Sequence, residues 1–407
     1  MMLQTLFTGL LVLPSLSAPS DVVALRVGRA ETISHGTLEH AVILVENGKI
    51  VAIGEDLAVG RGIPIVDCPD WVATPGLIDC SSRTGLSKRG GSSYTPQVQT
   101  SKELYPRQDI WQEILETGVT TLGLSAVGGG IPGKSVAVRP RGKTAEEMIL
   151  ADDVFLTINL QSNATSKKML RSAFEKLEKH DEKVEKAREK WQKAVDSAKK
   201  KKSKEDQKKA DPGPFEAPEV DPDVAVFMAL RDKELSAMMR LRKSSDYLHM
   251  LDVIGDRDID WFLHMALRND VDFYEIAERV GEKQVRVLLE SSITIMPNTR
   301  RERNIPADMQ RAGAKVVLLP RADNLAFHKS WTQDVGLLVA QGLDRQAALA
   351  AMTLEPAHVL GLEERLGSLD TGKDANIVLW DGDPFEPQTK IKAVMLEGQV
   401  VFGELEQ

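Results

Sequence analysis

Thr74 to Arg83 reads TPGLIDCSSR, and how this stretch is understood decides the fold. The apolar pair Leu77-Ile78 after Pro75-Gly76 reads as part of a short buried strand. Side chains alternate along a strand, so Ser81 and Arg83 point to the same side. Asp79, inside the run, reads as a turn or packing residue.

Working outward, Asp21 to Val72 consists of short alternating runs separated by turn residues. HAVILVENGKIVAIGE predicts a hairpin, because Asn47-Gly48 between alternating apolar runs is the strongest short hairpin signal. The far end repeats this style in DANIVLWDGDP and in IKAVMLEGQVVFGE, with a turn at Glu397-Gly398. Residues 21–73 and 366–405 are therefore expected to build one small β domain together.

Between them, residues 74–365 alternate helix and strand. WQEILETGVTTLGLS reads as a helix, a break at Gly118, then a strand. DMQRAGAKVVLLP repeats that pattern with Gly313. Repeated units of this kind give a parallel sheet, either a barrel or a doubly wound sheet. Residues 166–222 interrupt the rhythm as a charged insertion. Its first part has helix formers with opposite charges at helical spacing and predicts a solvent-exposed helix or hairpin; its end predicts a disordered stretch, followed by the proline-rich linker ADPGPFEAPEVDPD.

Composition sets outer limits. The net charge of −8 argues against nucleic acid as a partner, although the insertion is locally basic with acidic residues interleaved. Two cysteines, Cys68 and Cys80, are too few for a disulfide framework and read as buried thiols. The opening MMLQTLFTGLLVLPSLSAPS reads as an export signal over residues 1–18, placing the protein in the periplasm or outside the cell; without that signal it would be cytoplasmic. Pro14 breaks this run, and no segment reaches bilayer-spanning length.

The run Pro75-Gly76-Leu77-Ile78-Asp79 resembles the first-strand motif of the amidohydrolase superfamily. Gly118-Val119-Thr120-Thr121 is similar to the family's usual strand start. TLEPAHVLGLEERLGSLDTGKDANIVLWDGDP, from Thr353, resembles its C-terminal signature, with Asp374-Ala375-Asn376 standing where Asp-Ala-Asp is commonest. The flanking blocks look most like the imidazolonepropionase-like branch. The resemblance implies an α/β fold: a distorted (β/α)8 TIM-like barrel plus a small β-sandwich domain built from both termini. It also implies hydrolysis of carbon–nitrogen bonds by one or two divalent metals, such as zinc, which make hydroxide available from bound water. Oligomers are common in this family, so the resemblance allows a homo-oligomer.

The family's first strand continues with two histidines, and this chain has Ser81 and Arg83 at those positions. A hydroxyl is a poor zinc ligand, and a guanidinium stays cationic with no lone pair to give. The second metal-binding strand would place its histidine at Arg240 or Arg242, and the bridging lysine falls at Arg139. His264 and His328 are the histidines expected near the mouth, and Asp323 stands near the family's proton-shuttling aspartate. The expected site is therefore Asp323 as the catalytic, proton-shuttling residue, with Ser81, Arg83, Arg242 and His264 binding. No metal and no other cofactor is expected, and activity is expected to be lost or altered. The alternative is a non-catalytic barrel binding a small anionic ligand or a protein. Arginines at one mouth suit carboxylates and phosphates, which they grip in bidentate fashion. The glycine-rich loop Ser125 to Ser135 lacks phosphate-loop spacing and reads either as a wall of the cavity or as a tight connection.

Overall fold

The computed structural model describes residues 22–86, 94–201, 208, 210–267 and 272–405. The expected export signal lies outside these residues. No helix among them is long and apolar enough to cross a membrane.

The strands run in chain order as follows. The first five are Val22–Glu31 (β1), Thr37–Glu39 (β2), Ala41–Glu46 (β3), Lys49–Glu55 (β4) and Ile65–Pro75 (β5). Then come Leu77–Ser82 (β6), Val119–Leu124 (β7), Gly133–Lys134 (β8), Val136–Val138 (β9), Ile149–Ala151 (β10) and Phe155–Asn159 (β11). Ser236–Leu241 (β12), Trp261–Met265 (β13), Arg286–Glu290 (β14), Thr294–Ile295 (β15), Glu302–Arg303 (β16) and Lys315–Leu319 (β17) follow. Ile377–Trp380 (β18), Ile391–Leu396 (β19) and Gln399–Gly403 (β20) complete the set.

One eight-stranded sheet draws on both ends of the chain, in the order β20-β19-β18-β5-β1-β3-β4, with β2 beside β1. Its strands form a single hydrogen-bonded sheet rather than two, because β5 pairs parallel with β1 and antiparallel with β18. Leu25, Val27, Ile43, Ile377 and Leu379 pack into its own core. The β3–β4 hairpin turns at Asn47 and Gly48, both at positive φ (49° and 79°), the geometry that Asn-Gly adopts readily. Glu397 and Gly398 repeat it at 48° and 77°. The two tips meet: a Cβ on Gly48 would lie 2.9 Å from the carbonyl oxygen of Glu397. Asp374-Ala375-Asn376 joins them. Ala375 N–H donates to Gly48, Gly398 N–H donates to Ala375, and Asn376 accepts from Gly76 N–H just ahead of β6. Gly76 itself is required for close approach, since a Cβ there would stand 2.1 Å from Thr120 Oγ1.

The middle of the chain forms two further ladders. β6 and β7 pair in parallel, with β9 and β10 beyond them. β11, β12, β13, β14 and β17 make a run of parallel pairs, with β8 antiparallel at its edge. Among the described residues these ladders do not hydrogen-bond into one closed ring. Ile78, Cys80, Phe155, Met238, Phe262, Leu288 and Val317, drawn from both ladders, share one apolar core. Cys68 and Cys80 are free and buried.

The charged insertion starts with a 36-residue helix, Ala164–Lys199. It is not exposed throughout. Leu170, Ala173, Phe174 and Leu177 recur at helical spacing and are buried, and the Phe174 ring meets Phe227 of the helix Pro222–Arg231 edge-on at 5.3 Å. Further along, Trp191 packs against Phe215 of the proline-rich segment and donates its indole N–H to Gly213. Residues 202–207 and 209, where the sequence predicts disorder, lie outside the described ones.

Candidate functional site

The ends of β6, β12, β13, β14 and β17 converge on a cleft of about 540 Å3. Asp79, Ser81 and Arg83 line it at every second position of β6 and its exit, as strand alternation requires. Arg240, His264, Glu290, Arg321 and Asp323 complete its charged and titratable lining, with Ser125 from the exit of β7.

Four of the five expected site residues therefore come together: Ser81, Arg83, His264 and Asp323. Arg242 does not. β12 ends at Leu241, and the Asp246 carboxylate accepts the backbone N–H groups of Arg242 (2.9 Å) and Lys243 (3.3 Å), turning the chain into the helix Ser244–Ile254. Arg242 is left exposed, outside the cleft. Arg240, two residues earlier on the same strand face, takes that place and stands in register with His264 on β13. Arg139 also lies elsewhere, paired with Glu397 in the β19–β20 turn. The glycine-rich loop contributes Ser125 to the cleft, while its Lys134 pairs with Asp153.

Asp323 anchors the strand exit. Its Oδ1 accepts from Ser82 Oγ and its Oδ2 from Arg83 N–H, both at 2.7 Å. Close surrounding by protein and the neighbouring Asp79 charge raise its carboxyl above the usual range, against those hydrogen bonds. The residue is still exposed at the cleft rim, so water tempers this shift.

His328 stands behind the cleft. Its Nε2 lies 2.9 Å from Asp79 Oδ2 and its Nδ1 lies 3.0 Å from the Asn324 carbonyl. Burial alone would lower its pKa; the hydrogen bond and charge of Asp79 win and raise it. Both ring nitrogens face acceptors, which suits the imidazolium form.

His264 behaves oppositely. It is 3% exposed, and burial, with the Arg240 charge adding to it, lowers its pKa against the pull of Glu290. Its Nε2 lies 3.6 Å from Glu290 Oε1, beyond hydrogen-bond reach, and neither ring nitrogen has a hydrogen-bond partner among the described residues. Glu290 is also buried, which would raise it, but interactions with His264 and the Leu267 N–H at 2.6 Å hold it below the usual range. At neutral pH the pair is thus a carboxylate beside a neutral imidazole.

The arginines differ in freedom. Arg321 pairs with Asp334 at 2.7 Å and lies over the Phe327 ring. The Arg83 guanidinium has no hydrogen bond or ion pair among the described residues. Sequence reasoning missed Glu290, the residue that ends the apolar run VRVLLE. A lone acid closing a parallel strand was the available signal, since ligand sites in α/β folds gather at such ends.

The model of the Amidohydrolase family matches residues 313–402. An imidazolonepropionase of Klebsiella pneumoniae is 33% identical over 142 residues, covering 33% of this chain and 29% of that protein. An amidohydrolase of Hapsidospora irregularis is 41% identical over 63 residues, 16% of this chain and 6% of its own length. The chain thus spans less than a third of these relatives. Among solved structures, an amidohydrolase from Thermotoga maritima superposes with a TM-score of 0.74 at 21% identity, covering 94% of this chain and all of that one. That likeness speaks for the fold.

Proposed function

We propose that the chain is a member of the amidohydrolase superfamily, in its imidazolonepropionase-like branch, and that its cleft binds a small anionic ligand rather than a catalytic metal. In this reading the two parallel ladders are arcs of one distorted (β/α)8 barrel, and the cleft is its mouth. The observation that carries the proposal is the guanidinium of Arg83, without a partner among the described residues, at a position that holds a metal-binding histidine in the family.

The donor chemistry does not suit a divalent ion. Ser81 offers a neutral hydroxyl, Arg83 and Arg240 bring positive charge, and no group of three His, Cys, Asp or Glu among the described residues is arranged to hold a metal. Arginine forks do suit carboxylates. On this reading the metal-dependent carbon–nitrogen hydrolysis that the family resemblance implies is lost or altered.

A second reading, a hydrolase using Asp323 as base, has the placement of Asp323 in the cleft in its favour. Against it, both carboxylate oxygens already accept hydrogen bonds from Ser82 and Arg83 N–H.

Calorimetry with citrate, succinate and phosphate tests the proposal; a carboxylate should bind at millimolar concentration or tighter. Protein from metal-supplemented medium that carries near-stoichiometric zinc, manganese or iron, lost on chelation, would sink it.

A further inference from the structure

The lining of the cleft carries buried polar atoms that have no hydrogen-bond partner among the described residues. Ser125 is 5% exposed and His264 is 3% exposed, and both line the cleft. Ser125 Oγ and both ring nitrogens of His264 have no hydrogen-bond partner among the described residues. Neighbouring polar groups are already engaged. Glu290 accepts from Leu267 N–H, Asp79 is shared by His328 and Ser81 N–H, and Asp323 is held by Ser82 and Arg83 N–H.

An unsatisfied buried polar group costs roughly 1–3 kcal/mol, so a ligand that satisfies these atoms gains selectively over one that cannot. A carboxylate accepts hydrogen bonds and cannot donate them. A hydroxyl does both, which matches a neutral imidazole, itself one donor and one acceptor, and a serine hydroxyl. Arg83 lines the same cleft and can take the charged end.

Resting on the anion-site reading above, we propose that the ligand is a small hydroxycarboxylate, its carboxylate at Arg83 and its hydroxyl bonded to His264 or Ser125 in the same cleft. The cleft, at about 540 Å3, is within the range that holds small metabolites. Arg240, in register with His264, adds a second positive charge to the cleft lining.

Calorimetry with matched pairs tests this: succinate against both enantiomers of malate, and propionate against both enantiomers of lactate. One malate enantiomer should bind at least about tenfold tighter than succinate. In Ser125→Ala and His264→Leu, malate affinity should fall to that of succinate. The serine variant guards against a folding defect in the histidine one. Equal binding of malate and succinate by the wild type overturns the hydroxyl assignment while leaving the anion site standing. A malate preference that survives in both variants also overturns it. No binding of any of these acids overturns the anion site and this inference together.

Discussion

Asp79 and His328, 249 residues apart in the chain, are joined by a 2.9 Å contact between Oδ2 and Nε2 with both side chains buried. The contact fixes β6 against the helix Leu325–Lys329, so the cleft wall carrying Ser81 and Arg83 is set from behind. Removing one member strands a buried charge. His328→Leu should therefore destabilise the protein by about 3–5 kcal/mol in denaturant unfolding. A loss within experimental error would show that the pair carries no stability.

The same pair predicts a pH dependence. The pKa of His328 is raised above the ordinary histidine value of about 6.5, so the folded state binds its proton more tightly than the unfolded chain. Its contribution is complete below about pH 6.5 and fades as pH rises through the folded-state value. Unfolding curves between pH 6 and 9 should show this loss in the wild type and not in His328→Leu. Matching slopes in the two proteins would refute the assignment.

Arg83 is exposed, and its side chain makes no polar contact among the described residues, so Arg83→Ala should change stability by no more than about 0.5 kcal/mol. Its effect should fall on ligand binding. Loss of a charge-assisted hydrogen bond is worth about 1.5–3 kcal/mol, a drop of roughly ten- to a hundredfold in carboxylate affinity. Arg83→Lys should lie between, keeping charge and losing the fork. Unchanged affinity in the alanine variant would remove Arg83 from the site.

Restoring the missing histidines should not restore a metal. In Ser81→His/Arg83→His, Arg240 still holds its place in the cleft, and Asp79 and Asp323 remain engaged by His328 and Ser82. Metal content after dialysis against micromolar zinc should stay well below one equivalent. A full equivalent in the double variant would mean that the remaining shell is intact.

Glu31 offers a test of how the terminal sheet is fastened to the rest. It is fully buried and paired with Arg345 at 2.9 Å and Arg29 at 3.2 Å, and both arginines also reach Asp383. Burial would raise its carboxyl, but hydrogen bonds from Thr37 and Arg345 and the Arg345 charge hold it below the ordinary glutamate range. Its stabilisation is therefore present above about pH 4.5 and is lost as pH falls through the lower folded-state value. Glu31→Gln should cost about 2–3 kcal/mol at pH 7 and less at pH 3, measured by denaturant unfolding. An equal cost at both values would show that charge is not what holds the clamp.

Local chemistry made much of this architecture readable. Asn47-Gly48 and Glu397-Gly398 announce their turns because few residues tolerate positive φ. Ser81 and Arg83 could be placed in the cleft because strand alternation is rigid. The choice between Arg240 and Arg242 depended on where β12 ends. That point is set by Asp246 collecting backbone N–H groups, a contact that side-chain alternation does not encode. Asp79 reads as a packing residue because its partner His328 lies far along the chain. The long charged helix reads as solvent-facing because its lysines and glutamates outnumber the buried stripe of Leu170, Phe174 and Leu177.

The position of β5 between β1 and β18 also constrains the order of events at the ribosome. β1 to β5 emerge early, yet one flank of β5 stays open until residue 377 has been made. Throughout that interval the nascent chain displays an unpaired strand edge, a template for association with other chains. Premature termination before β18 would leave that edge permanently bare, so such fragments should precipitate or be degraded rather than accumulate as half-finished folds.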